Sequence, residues 1–197
     1  MRLRGVIFDL DGTVVENDYD WARIRDELGT GEMSILAYLD ALVEPERSAK
    51  WAILEGHEAR QTEASVLREG FSGLLDRLRA RSLAVALVTN NSRKNAEFLL
   101  GKFGLAFDCV ITRESGLWKP SGAPFLEVLR TLGLGPAEVG VVGDTRFDVL
   151  AALDAGIEAI YLLSNEPERF AGYPVKVLPS LEALARAICL GPLPDRP

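Results

Sequence analysis

Four clusters of polar side chains stand where this chain could do chemistry. In Phe8-Asp9-Leu10-Asp11-Gly12-Thr13, two carboxylates two positions apart close an apolar run, at the place where a parallel strand meets the ligand-binding edge of its sheet. The Asp-Gly step is equally a hairpin-turn signal. A hairpin needs a returning strand, and Glu16-Asn17-Asp18, which follows Val14-Val15, does not read as one. In Val88-Thr89-Asn90-Asn91-Ser92 an apolar run ends in small polar side chains. Ser92 or Asn91 suits a helix N-cap, while exposed backbone N–H groups beside the Thr89 hydroxyl would make a phosphate site. Lys119 is fixed before Pro120 in a stretch with few other charges, and a solvated surface lysine is the plain alternative. Val141-Val142-Gly143-Asp144-Thr145-Arg146-Phe147-Asp148 ends a buried run in an acidic pair. If a helix begins near Thr145, Asp144 and Asp148 share its positive end, although Asp144 alone would serve as an ordinary cap.

The elements that must position these groups follow from the apolar pattern. Strand-sized runs at 6–10, 83–89, 109–112, 139–143 and 159–163 are apolar throughout, which fits strands covered on both faces. Helices are predicted over 94–103, with Phe98, Leu99 and Phe103 as apolar positions and Gly104 as the stop, and over 123–132, with Pro124 in the first turn and Gly133 as the stop. Alternating strands and helices after residue 80 predict a doubly wound, Rossmann-like α/β fold with a mainly parallel sheet flanked by helices. The stretch 19–69 carries no strand signal and is rich in helix formers broken at Gly29-Thr30-Gly31 and Pro45. It predicts an inserted all-helical cap of two or three helices over 16–70, with the α/β core formed by 1–15 and 71–197.

Composition narrows the function classes. The 197 residues leave room for one full domain and a modest insertion, and 48% hydrophobic with 26% charged residues suffices for a sizeable core. A formal charge of −7 opposes nucleic acid and anionic lipid as partners. Cys109 and Cys189 stand apart rather than in a CxxC pair, as expected of reduced cytoplasmic thiols. The apolar run after Met1-Arg2-Leu3-Arg4 is broken by Asp9 and Asp11 before a signal-peptide core is complete, and no window spans a bilayer. A soluble monomer or homodimer is expected. Gly133-Leu134-Gly135 precedes a strand instead of following one and is no dinucleotide fingerprint. The tail from Gly191 to Pro197 is expected to fray.

Taken in order, Asp9-x-Asp11-Gly12-Thr13, Thr89, Lys119-Pro120 and Gly143-Asp144-x-x-x-Asp148 resemble the four motifs of the haloacid dehalogenase-like superfamily, over nearly the whole chain. The resemblance implies a phosphate ester hydrolase working through an aspartyl-phosphate with Mg²⁺. It assigns the nucleophile to Asp9, which, with the pKa of a free Asp at about 3.9, is already anionic at neutral pH and needs no base to activate it. Asp11 becomes the general acid and base, its pKa raised by neighbouring negative charge. Thr89, Asn90 and Lys119 would hold the phosphoryl oxygens. Mg²⁺ would sit on the Asp9 side chain, the Asp11 backbone carbonyl and Asp144, with Asp148 as ligand or supporting partner.

The helical insert between Asp9 and Thr89 resembles the cap of the phosphoglycolate phosphatase and β-phosphoglucomutase branch, which implies a small phosphomonoester such as phosphoglycolate. Two departures leave the substrate open: Val14-Val15-Glu16-Asn17 stands where relatives often have Leu-Val-Asp-Ser, and the cap is short. Two alternatives are a sugar-phosphate mutase, which passes the phosphoryl group to a second substrate, and a non-enzymatic binding module. In the cap, Arg23, Arg25, Arg47, Lys50 and His57 are possible substrate contacts, each more simply read as solvated surface. His57 receives no catalytic role.

Overall fold

A computed structural model describes residues 3–188. Cys189 and the 191–197 tail lie outside the described residues. Six strands form one sheet in the order β5 (Cys109–Ile111), β4 (Ala84–Val88), β1 (Gly5–Phe8), β6 (Val139–Gly143), β7 (Ala159–Leu163) and β8 (Lys176–Leu178). Every pairing in it is parallel. The order reverses direction at β1, so the C-terminal ends of β1, β4 and β6 open together on a switch point of the kind where α/β sheets bind ligands.

The continuous apolar runs are explained by two buried faces. Val6, Phe8, Val85 and Leu87 pack against α4 (Phe71–Ala80), α5 (Arg93–Phe103) and α8 (Leu181–Ala187), whereas Ile7, Ala86, Val88 and Val141 face α6 (Ala123–Leu132) and α7 (Arg146–Asp154). Burying each large aliphatic or aromatic side chain contributes ~1.5–3 kcal/mol, which outweighs any weakness of individual helices. Helix ends follow local chemistry. Ser92 Oγ accepts the Asn95 N–H to start α5, and Gly104 and Gly133 stop α5 and α6 in the left-handed conformation. Phe98, expected on the apolar face of α5, is exposed; Ala96 and Leu99 fill that face.

The stretch after β1 departs from expectation. Val15–Glu16 is a strand, β2, paired antiparallel with β3 (Val66–Leu67), so 19–69 does contain a strand. Two residues of ladder are too short for a readable alternation. Between β2 and β3 run α1 (Trp21–Leu28), α2 (Ile35–Ala41) and α3 (Glu46–Ala64), broken at Gly29 and Pro45 as expected. Ile24, Leu28, Ile35, Leu36, Leu39 and Leu54 give this insert its own buried cluster, and Trp118 of the core packs against it. The sequence reading also missed β8, an edge strand between Pro174 and Pro179 with an exposed Lys176, a combination that blunts further pairing. Among the described residues, no helix is long and apolar enough to cross a membrane.

Candidate active site

The chain beyond β1 does not form a hairpin at Asp11-Gly12. The N–H groups of Thr13, Val14 and Val15 all turn back to the Leu10 carbonyl, and Arg68 donates to the carbonyls of Gly12 and Thr13. Gly12 has φ +76°, and a Cβ there would lie 2.1 Å from Asp144 Oδ2. Its missing side chain lets the loop after β1 close on the loop after β6. Gly143 does the same for Asp148, whose Cγ would stand 2.3 Å from an added Cβ. Gly12→Ala therefore combines a strained φ with a clash. It is expected to cost ~1–3 kcal/mol of stability, read by urea unfolding, and to weaken divalent-cation binding by displacing Asp144.

These loops converge on Lys119, which is 3% exposed. Its Nζ lies 2.7 Å from Asp9 Oδ1 and 2.6 Å from Asp148 Oδ1. Asp148 is fully buried, and its other oxygen accepts the Thr145 N–H and hydroxyl, forming the capping box of α7. The cap of α7 is thus Thr145, not Asp144. Asp144 Oδ1 is buried without a hydrogen-bond partner. Oxygens of Asp9, Asp144 and Asp148 lie within 4.8 Å of one another. An orphaned carboxylate oxygen in a set of hard oxygen donors fits a divalent cation such as Mg²⁺.

The electrostatics correct two expectations. Burial pushes the Asp9 carboxyl up to about 7, against the pull of Lys119, with Asp148 and Asp11 adding to the rise. Asp9 is therefore not a fully ionised group at neutral pH unless further positive charge arrives. Asp11 is raised by burial and not by neighbouring negative charge; the amides of Asn91 and Asn17 and the charge of Lys119 oppose the rise. Asp144 is raised well above the usual range by burial and by Asp9 and Asp148. Burial disfavours the Lys119 ammonium, but Asp148 and Asp9 outweigh it and hold the group above its ordinary value.

Thr89 is buried beside the cluster, its Oγ1 accepting the Asn91 N–H. The side chain of Asn90, expected among the phosphate contacts, is committed to Lys119: it donates to the Lys119 carbonyl and accepts the Lys119 N–H, both at 2.9 Å. Two residues that sequence reasoning passed over hold Asp11. Asn17 Nδ2 donates to one oxygen at 2.6 Å and Asn91 Nδ2 to the other at 3.0 Å. The Asn91 amide is oriented by its Oδ1, which accepts from the Ser92 N–H and from Asn95. The only hint in the sequence was the run of small polar residues at 89–92, where Asn91 read as a cap.

Over this cluster lies a cavity of about 560 Å³, walled on its far side by the insert. Of the basic insert residues, Arg25 lines it, but its Nη1 donates to the carbonyls of Gly31 and Met33. Arg23 pairs with Glu27, Arg47 with Asp40, and Lys50 donates to the Glu27 carbonyl. His57 bonds the Glu27 carboxylate at 2.7 Å. The buried charge pair in the wall was not foreseen: Glu58 of α3 accepts two bonds, at 2.6 and 2.9 Å, from Arg113 of the core, whose guanidinium lies over the Trp51 ring.

A parallel sheet that gathers buried carboxylates and one lysine at its switch point, beneath a helical insert, defines an α/β protein with a site suited to a cation and an anionic ligand. The chain belongs to the haloacid dehalogenase-like hydrolase family, whose model matches residues 3–156. Within that family it falls in the phosphoglycolate phosphatase-like branch. A phosphoglycolate phosphatase of Yersinia pseudotuberculosis is 31% identical over 98% of this chain and 97% of its own length. An N-acetylmuramic acid 6-phosphate phosphatase of Pseudomonas putida is 30% identical over 79% of this chain and 81% of its own. A crystal structure described as a predicted phosphoglycolate phosphatase from Haemophilus somnus superposes with a TM-score of 0.72 at 22% identity, covering 95% of this chain and 98% of that one.

Proposed function

We propose that the protein hydrolyses a small phosphomonoester through an aspartyl-phosphate on Asp9, with 16–70 acting as a cap domain over a core of 1–15 and 71–197. The observation that carries this reading is the Lys119 ammonium seated between Asp9 and Asp148 beside the unpartnered oxygen of Asp144. Asp9, Asp144 and the Asp11 backbone carbonyl would hold Mg²⁺; Asp148, both oxygens already engaged, anchors Lys119. When bound, the cation supplies the positive charge that lets a phosphate dianion approach so many carboxylates.

The chain's own groups account for the bond changes. An Asp9 oxygen attacks phosphorus, and the bond from phosphorus to the leaving oxygen breaks. Asp11 gives its proton to that oxygen, a task suited to a carboxyl raised by burial and fixed by two amides. Asp11 then takes a proton from water, whose oxygen attacks the same phosphorus and breaks its bond to Asp9. Lys119 and Thr89 balance charge on the phosphoryl oxygens throughout.

The direct test is release of inorganic phosphate from a panel of phosphomonoesters with added Mg²⁺, phosphoglycolate serving as the reference compound. A mutase would build up bisphosphate and release little phosphate, and a panel with no turnover would overturn the reading.

The raised carboxyls also make cation-free stability depend on pH. The folded state holds protons on Asp9, at about 7, and on Asp144 that an unfolded Asp, with pKa ~3.9, gives up. Their contribution is complete below the unfolded value and is lost as pH rises through the folded value. In EDTA, melting temperature should fall between pH 5.5 and pH 8, and Mg²⁺ should raise it more at pH 8. A flat profile with no effect of Mg²⁺ would count against the cluster as a cation site.

A further inference from the structure

The cavity has room for more than a two-carbon acid. Its volume, about 560 Å³, falls in the range of sites that enclose drug-sized ligands, ~300–1,000 Å³. The phosphate-holding end is polar, whereas much of the wall above it is apolar or aromatic: Tyr19, Trp21, Ile35, Leu36 and Leu54 line it from the insert, and Phe147 and Phe170 from the core.

Most polar side chains on the insert's wall already have partners inside the protein. Arg25 donates to two backbone carbonyls, Glu58 accepts from Arg113, and Asn17 donates to Asp11. From the core, Arg146 and Arg169 also line the cavity, with side chains 52% and 64% exposed, beside Glu32 and Glu166. On the insert's wall the Tyr19 hydroxyl, buried without a partner, and Ser34 stay open, too few to replace the water shell of a polyhydroxylated leaving group, a cost that an apolar ring avoids. Trp21 supplies the matching surface. Its ring stacks on Tyr19 with centroids 4.4 Å apart and planes 19° from parallel, yet the residue remains 44% exposed. Stacked and offset arrangements are the favourable ones for a further ring.

We propose that the leaving group of the substrate carries a flat aromatic ring that seats against the Tyr19–Trp21 stack while its phosphate reaches Asp9. This rests on the phosphomonoesterase reading above and specifies its substrate class as arylmethyl-type phosphate esters.

The experiment compares kcat/KM of the full chain, with Mg²⁺, for benzyl phosphate, phosphoglycolate and glucose 6-phosphate. All three release a primary alcohol, so differences report on binding of the leaving group. Benzyl phosphate should exceed both others at least tenfold. Trp21→Ala, at an exposed first turn where alanine favours the helix, should shrink that advantage at least fivefold through KM, and Trp21→Phe should restore most of it. A benzyl phosphate value no higher than that for phosphoglycolate, or an advantage unmoved by Trp21→Ala, would overturn the proposal and leave the hydrolytic reading intact. Turnover of none of the three would overturn the hydrolytic reading, and the leaving-group class with it.

Discussion

Asp9→Asn is expected to fold normally and to lose turnover by at least ~10⁴-fold, the scale seen when a covalent nucleophile is removed. The amide keeps the shape of the carboxyl, and its oxygen can still accept from Lys119, which sits 2.7 Å away in the native protein. What it lacks is the charge and lone-pair reactivity needed to attack phosphorus. The variant also removes a buried acid whose proton is held up to about 7, so part of the pH dependence of cation-free stability should vanish with it. Phosphate release measured beside a melting curve in EDTA separates the two effects. Undiminished turnover would show that another group attacks.

Lys119→Met carries the second large effect, on activity and stability together. Loss of one donor aimed at developing phosphoryl charge corresponds to ~2–4 kcal/mol of transition-state stabilisation, or about 30- to 800-fold in kcat/KM. Lys119 is also the cation that Asp9 and Asp148 share, and methionine leaves both carboxylates buried without it. Breaking a buried pair from one side costs ~3–5 kcal/mol. Protonation of the abandoned acids relieves that cost at low pH, so the variant's melting-temperature deficit should be larger at pH 8 than at pH 5.5. A loss below tenfold in kcat/KM would remove Lys119 from the chemistry.

The parts of this protein that were legible from sequence are those with a local or periodic signature. Val139–Gly143 and Ala159–Leu163 are strands with the expected ends, and Ala123–Leu132 is a helix with the expected ends, because apolar runs, Pro124 and Gly133 state their structure within a few residues. Asp9, Asp11, Thr89 and Asp144 could be singled out because they follow strand ends, and Lys119 and Asp148 by their place in the order of motifs. The bonds that tune them were not readable. Asn91 reaches Asp11 across 80 positions of chain, and Arg113 reaches Glu58 across 55, with no trace in either local context. The Asp9 pKa was misjudged for the same reason: burial belongs to the assembled loops and not to the residue type.

The short ribbon joining β2 to β3 places the outgoing and returning crossings of the helical segment side by side, with Val15 opposite Leu67. Whatever lies between Glu16 and Val66 enters and leaves through one two-rung clasp and docks on the core through side chains, Trp118 and the Glu58–Arg113 pair among them, while the carboxylate-bearing loops are fixed by the main sheet. The segment is thus a cassette: it can lengthen, shorten or be grafted from a relative without re-registering a strand of the sheet. The far wall of the cavity is free to diversify there while the loops that carry Asp9, Lys119 and Asp144 stay unaltered.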